Sequence, residues 1–356
     1  MNLWNVEELK WDEKLLVIAA GGAAGVEELK QKLGNVELDG GKRLGLIHKY
    51  FVERYGFSSD CSIAPFTGDN PATILALPLR PLDVIVSLGT STTLLMSTPT
   101  YYPSPAYHLF DHPTTSGLYM FMLCYKNGAL AREGIRDQIQ SHHKSTETGQ
   151  DSWNLFNEIA ASTPALGKKS TSDPAKLGIY FPLPEIVPDV QAGTLRFTFD
   201  GKTLGDDVSA WSLPDDDARA IIESQALSMR LRAAPLLAPC PENNQKAQPR
   251  RVYLVGGGSR NPTICEIIGQ VLGGSEGVYQ LDVGNNACAV GAAYKACWAV
   301  ERKTEERFEE FVGGRWDEEK MVKRIGDANK EGVWEAYGEV LEAFRIAEQR
   351  IGSGRE

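Results

Sequence analysis

The sequence is poor in the residues from which most metal and redox sites are built. Its 356 residues include five histidines and six cysteines. No Cys-x-x-Cys pair or Cys/His cluster occurs, so neither a zinc site nor a disulfide framework is legible. Cys61, Cys124, Cys240, Cys265, Cys288 and Cys297 lie in apolar contexts and read as reduced core thiols. Basic side chains are outnumbered by acidic ones, 37 to 47, giving a formal charge of −10. That balance speaks against nucleic acid or an anionic membrane as partner and suits a cytoplasmic metabolic enzyme. Long apolar runs are missing too. The longest, Leu15 to Val26, is broken by Gly21, Gly22 and Gly25 and falls short of the ~20 residues that a bilayer span needs. Residues 1–14 hold four acidic side chains and do not read as a secretory signal. The one Asn-x-Thr triplet, Asn261-Pro262-Thr263, is disqualified as a glycosylation site by its proline.

What is present is concentrated in three short stretches. In the first, Phe66-Thr67-Gly68-Asp69-Asn70-Pro71, a strand-like segment runs into a helix expected over residues 70–79, with Pro71 near its first position. Asp69 then sits at the end of a strand, where α/β sheets present their chemistry. The second, Val84 to Thr93, reads as a hairpin whose turn gathers Ser87, Thr90, Ser91, Thr92 and Thr93 around Gly89. Such a turn lets amides and hydroxyls approach an anion closely. In the third, the strand Arg251 to Val255 meets Gly256-Gly257-Gly258 and a helix from Asn261 to Leu272. A dinucleotide fingerprint needs a glycine where Asn261 stands, and no βαβ half precedes it. Taken singly, each stretch also has a plain reading: Asp69 as a helix cap, Leu88-Gly89-Thr90-Ser91 as an ordinary turn.

Between these landmarks the patterns predict helices over residues 12–20, 26–33, 44–55, 127–140 and 152–161. His48 falls inside the third and takes a packing role. Three consecutive antiparallel strands are expected at residues 84–90, 91–97 and 117–125. Residues 98–116, with four prolines, His108 and His112, read as a loop. His142 and His143 end a helix, where positive character suits the dipole. Ala165 to Ser170 fails as a phosphate loop, because Gly-Lys-Ser is not contiguous and position 162 is serine. Two strand signals lie within 177–200. A long amphipathic helix follows over Asp215 to Leu237, with Arg230 and Arg232 placed late for the dipole, and then a polar loop over residues 238–251. The strand 278–282 precedes a helix 286–300 whose small residues, Gly291 among them, suit close packing on a sheet. The last 56 residues are highly charged, with a helical pattern from Gly332 to Ile351.

Carboxylate turn, Leu-Gly-Thr-Ser hairpin and Gly-Gly-Gly-Ser-Arg-Asn turn, in this order and spacing, resemble the FGGY family of carbohydrate kinases. Within it, Phe66 to Pro71, Tyr119 to Gly128 and Leu177 to Phe181 are similar to eukaryotic xylulokinases. The resemblance implies an α/β fold of the actin-like ATPase (ribonuclease H-like) type, with a βββαβαβα core. The family's opening lobe has an Asp-x-Gly-Thr/Ser-type loop that has no counterpart here, and Met1 to Trp4 resembles a stretch late in that lobe. On that likeness, residues 1–80 are expected to be a remnant of the N-terminal lobe carrying the catalytic Asp69. Residues 81–300 would form the C-terminal ATP-binding lobe, and residues 301–356 a charged helical tail.

The activity implied is transfer of the γ-phosphoryl group of ATP, with Mg2+, to a sugar hydroxyl; for D-xylulose it is the one on C5. Asp69 would act as general base and Asn70 would orient the sugar. Gly89, Thr90, Ser91 and Thr92 would hold the phosphates, while Trp153, Gly257, Gly258 and Asn261 would contact the adenosine. No residue is assigned to the metal. Two alternatives stay open at this point: a non-catalytic nucleotide-binding or interaction module, and another FGGY kinase acting on glycerol or a different sugar.

Overall fold

The run Val84-Ile85-Val86-Ser87-Leu88 is apolar at all positions but one, as a strand covered on both faces requires. A computed structural model describes residues 3–237, 246–282, 286–325 and 332–352. In it this run, β1 (Val84–Leu88), lies in the middle of a seven-stranded mixed sheet. The other strands are β2 (Thr92–Thr98), β3 (His108–Asp111), β4 (Tyr119–Tyr125), β5 (Arg251–Val255), β6 (Gly277–Leu281) and β7 (Val322–Arg324). Their order across the sheet is β7-β6-β5-β1-β2-β4-β3. β1, β5 and β6 are mutually parallel, with Ser87 level with Val255, and the remaining pairings are antiparallel. The two parallel strands therefore end side by side. The hairpin after β1 and the glycine turn after β5 emerge at one sheet edge, the carboxyl end, where such sheets bind ligands.

Alternation along β1 decides which helices cover which face. Val84, Val86 and Leu88 join Leu94, Phe121, Leu254 and Val278 in one core beneath α2 (Ala129–His143), α3 (Asn154–Ser162), α4 (Asp215–Leu237) and α5 (Pro262–Leu272). Ile85 faces the other way, into a second core with Leu95, Met120, Ile74, Leu75 and Trp298. That side is covered by α1 (Asp69–Thr73) and α6 (Ala287–Glu301). A separate antiparallel ribbon, Ala175–Phe181 against Gly193–Phe199, packs on α4.

The structure departs from the sequence reading in several places. Residues 44–55 are not one helix: Gly45–Leu46 pairs with Ser62–Ile63, and the helix is Lys49–Tyr55. His48 caps it, its Nδ1 accepting the Tyr50 amide at 3.2 Å. The proline-rich segment before β4 contains the edge strand β3, whose position at the end of the sheet tolerates such a sequence. The expected 70–79 helix is a single turn, continued by a 3-10 turn over Ile74–Ala76. α4 is not amphipathic: sixteen of its 23 residues are buried. Its charges are paired inside the protein, Asp217 with Arg196 at 2.7 Å and Glu223 with Arg219 at 2.6 Å. Arg230 and Arg232 do not serve the dipole of α4, whose last turn holds no basic residue. The first donates to Val271 O and Trp334 O (3.0 and 2.7 Å), the second pairs with Glu348 at 2.8 Å. Cys265 is buried, Cys61 and Cys124 are half-buried, Cys288 and Cys297 are exposed, and Cys240 lies outside the described residues, as does most of the loop expected over 238–251. Among the described residues no helix is long and apolar enough to cross a membrane.

Candidate active site

Gly68, in extended backbone, turns the chain into α1 so that Asp69 is its first residue. The exposed Asp69 carboxylate accepts the Asn70 amide at 2.7 Å, and the Thr73 hydroxyl donates to Asp69 O at 2.9 Å. A carboxylate in a helix's first turn is favoured by the amides there. The turn is fixed from below by α6. A Cβ at Gly291 would lie 1.8 Å from Ala72 O, so only glycine lets the two helices approach this closely. The loop leading into Asp69 is tethered by Lys295, which is buried and donates to Pro65 O at 2.7 Å and Gly40 O at 2.6 Å. Burial pulls the Lys295 pKa below its usual value.

Asp69 and Asn70 line an open cleft of about 750 Å³ together with Ser87 of β1 and Gly256, Gly257 and Arg260 of the glycine turn. The three glycines differ in their surroundings. Gly256 has φ +90°, a conformation that L residues rarely adopt, and it packs against the Leu88 backbone. A Cβ at Gly258 would meet Leu88 Cβ at 2.9 Å. At Gly257 a Cβ would meet nothing within 4 Å. Gly257 is thus the one whose missing side chain leaves room for a ligand. Asn261 caps α5 by accepting the Ile264 amide at 3.2 Å, and its side-chain amide donates to Asn157 Oδ1 at 2.7 Å. Trp153 stands one helical turn before Asn157, half-buried, with Phe156 edge-on at 5.3 Å and the Arg136 guanidinium 4.7 Å over its ring.

The hairpin tip is arranged differently from the expected cradle. The Gly89 amide is used within the turn, donating to Ser91 O at 3.0 Å. The carbonyls of Gly89 and Thr90 accept from Ala129 and Gly128 at the start of α2, at 3.1 and 3.2 Å. Thr90 and Ser91 are exposed at the tip. Thr92 is 1% exposed, and it lines a small internal cavity of about 20 Å³ with Asn127, Glu185 and Ser228, away from the cleft. Of the ten residues expected at the site, Asp69, Asn70 and Gly257 line the cleft. Thr90 and Ser91 cap the neighbouring hairpin. Gly89, Thr92, Gly258 and Asn261 have backbone or packing roles, and Trp153 packs on α2 and α3. Sequence reasoning counted Ser87 among the hydroxyls around Gly89, and it passed over Arg260 as a cleft residue.

Residues 84–300 match the family described as FGGY family of carbohydrate kinases, C-terminal domain. The chain belongs to the FGGY family of carbohydrate kinases. Among its curated relatives, the "Probable D-xylulose kinase A" proteins of Aspergillus fumigatus and Neosartorya fischeri are each 57% identical over 353 residues. Those alignments take in 99% of this FGGY chain and 61% of each relative, so the chain spans about three fifths of the length of the relatives it matches. The crystal structure of xylulose kinase from Rhodospirillum rubrum superposes with a TM-score of 0.70 at 18% identity, covering 98% of this chain and 62% of that one. That likeness establishes the fold, the actin-like ATPase fold of the sugar kinases, and the ββ–β–α and parallel βαβα order described above is its lobe core.

Proposed function

We propose that this FGGY chain serves the ATP-dependent phosphorylation of D-xylulose to D-xylulose 5-phosphate in the cytoplasm. The observation that carries the reading is the shared cleft: a surface carboxylate on a rigidly backed helix turn and an open glycine turn face one cavity. Relatives named for D-xylulose supply the choice of sugar. In this reading residues 1–80 carry the base, residues 81–300 are the nucleotide lobe, and residues 301–356 are a helical addition to it.

The residues present fit a nucleotide. Gly257 leaves its side-chain space empty, Arg260 brings a cation to the cleft, and the Thr90 and Ser91 hydroxyls stand at the adjoining tip. Trp153 and Asn261, linked through Asn157, are the candidates for the nucleoside end. ATP supplies the phosphoryl group, with Mg2+ as its counterion. Among the described residues no three Asp, Glu, His or Cys side chains converge as a metal site. Asp69 accepts the proton of the attacking sugar hydroxyl, and Asn70 holds that hydroxyl in line. Positioning and charge stabilisation account for most of phosphoryl-transfer catalysis.

The test is sugar-dependent ADP release by the purified chain, with D-xylulose and glycerol compared, for the wild type and Asp69→Asn. The expected result is turnover with D-xylulose that falls on the order of 10²–10⁴-fold in the variant at an ATP KM within threefold, the usual worth of a positioned acid–base group. Unchanged turnover in Asp69→Asn removes Asp69 from the role. ATP binding without turnover favours the binding-module reading, and preference for glycerol favours another sugar kinase.

A further inference from the structure

Arg132, on the first turn of α2, is the largest fully buried side chain among the described residues, at 1% exposure. A guanidinium in that position ordinarily has a carboxylate beside it, because an unpaired buried charge costs several kcal/mol. No carboxylate among the described residues forms an ion pair or hydrogen bond with it; Glu133, next in the chain, acts on it only through space. One nitrogen, Nη1, donates to the neutral Gln225 side chain, and Nη2 has no hydrogen-bond partner at all. Burial pulls the Arg132 pKa down to about 10, which leaves the side chain charged at neutral pH.

The location of this unmatched cation is specific. Its free Nη2 lies 3.4 Å from where a Cβ on Gly258 would be, directly behind the glycine turn. Gln225, which holds Nη1, also donates to Asn127 O at 2.8 Å and Gly128 O at 2.9 Å. Gly128 in turn donates to Thr90 O and would clash, had it a Cβ, with the Ser91 and Thr92 atoms of the hairpin. Arg132 therefore sits behind both segments that flank the nucleotide end of the cleft and is hydrogen-bonded, through Gln225, to the support of one of them.

We propose that Arg132 is a positioning and counter-charge residue for the phosphates of the bound nucleotide, acting through the Gly257–Gly258 turn and the Thr90–Ser91 hairpin. The inference rests on the nucleotide reading of the cleft given above. The missing ion-pair partner is then the ligand itself: a polyanion seated between the turn and the hairpin offsets a charge that no ion pair in the apoprotein compensates. Across a few ångströms of protein, where charges are screened far less than in water, one such charge is worth about tenfold or more in affinity for a polyanion.

The experiment is equilibrium titration of the purified chain with ADP, adenosine and inorganic tripolyphosphate. Wild type, Arg132→Met, Arg132→Gln and Arg132→Lys are compared. The two neutral variants are expected to bind ADP and tripolyphosphate about tenfold or more weakly and adenosine within twofold of wild type, with Arg132→Lys restoring most of the loss. An equal loss for adenosine and ADP, or an unchanged ADP affinity in a folded neutral variant, overturns the proposal. If neither neutral variant folds, the wild-type chain decides. The Arg132 guanidinium nitrogen resonances must shift with tripolyphosphate and not with adenosine, and unmoved resonances overturn the proposal. Failure of wild type to bind ADP at all is a different outcome: it removes the nucleotide reading, and the Arg132 assignment with it.

Discussion

Glycines 256 to 258 are adjacent and chemically identical, yet their surroundings separate them and make their substitutions distinguishable. A methyl at Gly258 runs into Leu88 Cβ at 2.9 Å and Leu88 O at 3.2 Å, within the core of the sheet. Gly258→Ala should cost about 1–3 kcal/mol of stability, the range for forced overpacking. Gly257→Ala meets no protein atom within 4 Å and should leave the unfolding midpoint within about 0.5 kcal/mol of wild type. Its methyl occupies the cleft instead, so ADP affinity should fall several-fold. Denaturant midpoints and ADP titrations on the two variants check this, and a destabilised Gly257→Ala with normal ADP binding would reverse the assignment. Residue identities at this turn were legible, but their division of roles was not, because it depends on which glycine faces Leu88. Thr92 shows the same limit. Alternation along β2 sends its hydroxyl to an internal cavity, whereas a count of hydroxyls around Gly89 treats it as equal to Ser91.

At the scale of elements, strands with continuous apolar runs were readable directly, β5 to the residue and β1 to within two. Where the sequence pattern was weak, a neighbour made the decision. β3 exists because β4 offers it an edge, and Gly45–Leu46 is a strand because Ser62–Ile63 pairs with it. The small residues of α6 were expected to serve packing on the sheet. Gly291 instead receives α1, the turn that carries Asp69. This has a measurable consequence. Gly291→Ala must push α1 outward, since the added carbon would stand 1.8 Å from Ala72 O and 3.0 Å from Ala76 N. Amide exchange over residues 69–76 should quicken, and sugar-dependent turnover should fall about tenfold or more, because misplacement by about an ångström is costly in positioning catalysis. ADP affinity should stay within twofold, since the glycine turn hangs from β5 on the parallel pair. Unchanged exchange across residues 69–76 would mean that α1 is not held by this contact.

At the scale of the whole molecule, the last stretch reads in sequence as a charged helical tail, and the charge pattern conceals what it buries. Tyr337, Phe344 and Ala347 join the core under α4, while β7 extends the main sheet. Trp334 and Arg230 satisfy the final carbonyls of α5: Trp334 Nε1 donates to Leu272 O at 3.0 Å, and Arg230 to Val271 O at 3.0 Å. At the centre, the Tyr337 hydroxyl donates to Glu223 at 2.6 Å and accepts from Arg219 at 3.0 Å, and Arg219 also donates to Gln270 at 2.7 Å. Burial and the Glu223 carboxylate push the Tyr337 phenol well above its ordinary pKa, so it stays a donor throughout the accessible range. Such a network couples segments that are far apart in the chain, because removing one member leaves the others buried with an unmet partner. Tyr337→Phe removes one oxygen and almost no volume. It should cost about 1–3 kcal/mol, with a single unfolding transition retained. The informative readout is native-state amide exchange. If the segment 333–351 is part of the lobe's cooperative unit, the variant lowers protection in α4 and in this segment by the same free energy. A segment that docks loosely would already exchange by local opening in the wild type, and Tyr337→Phe would then leave α4 unchanged, which would sink the claim that the two fold as one.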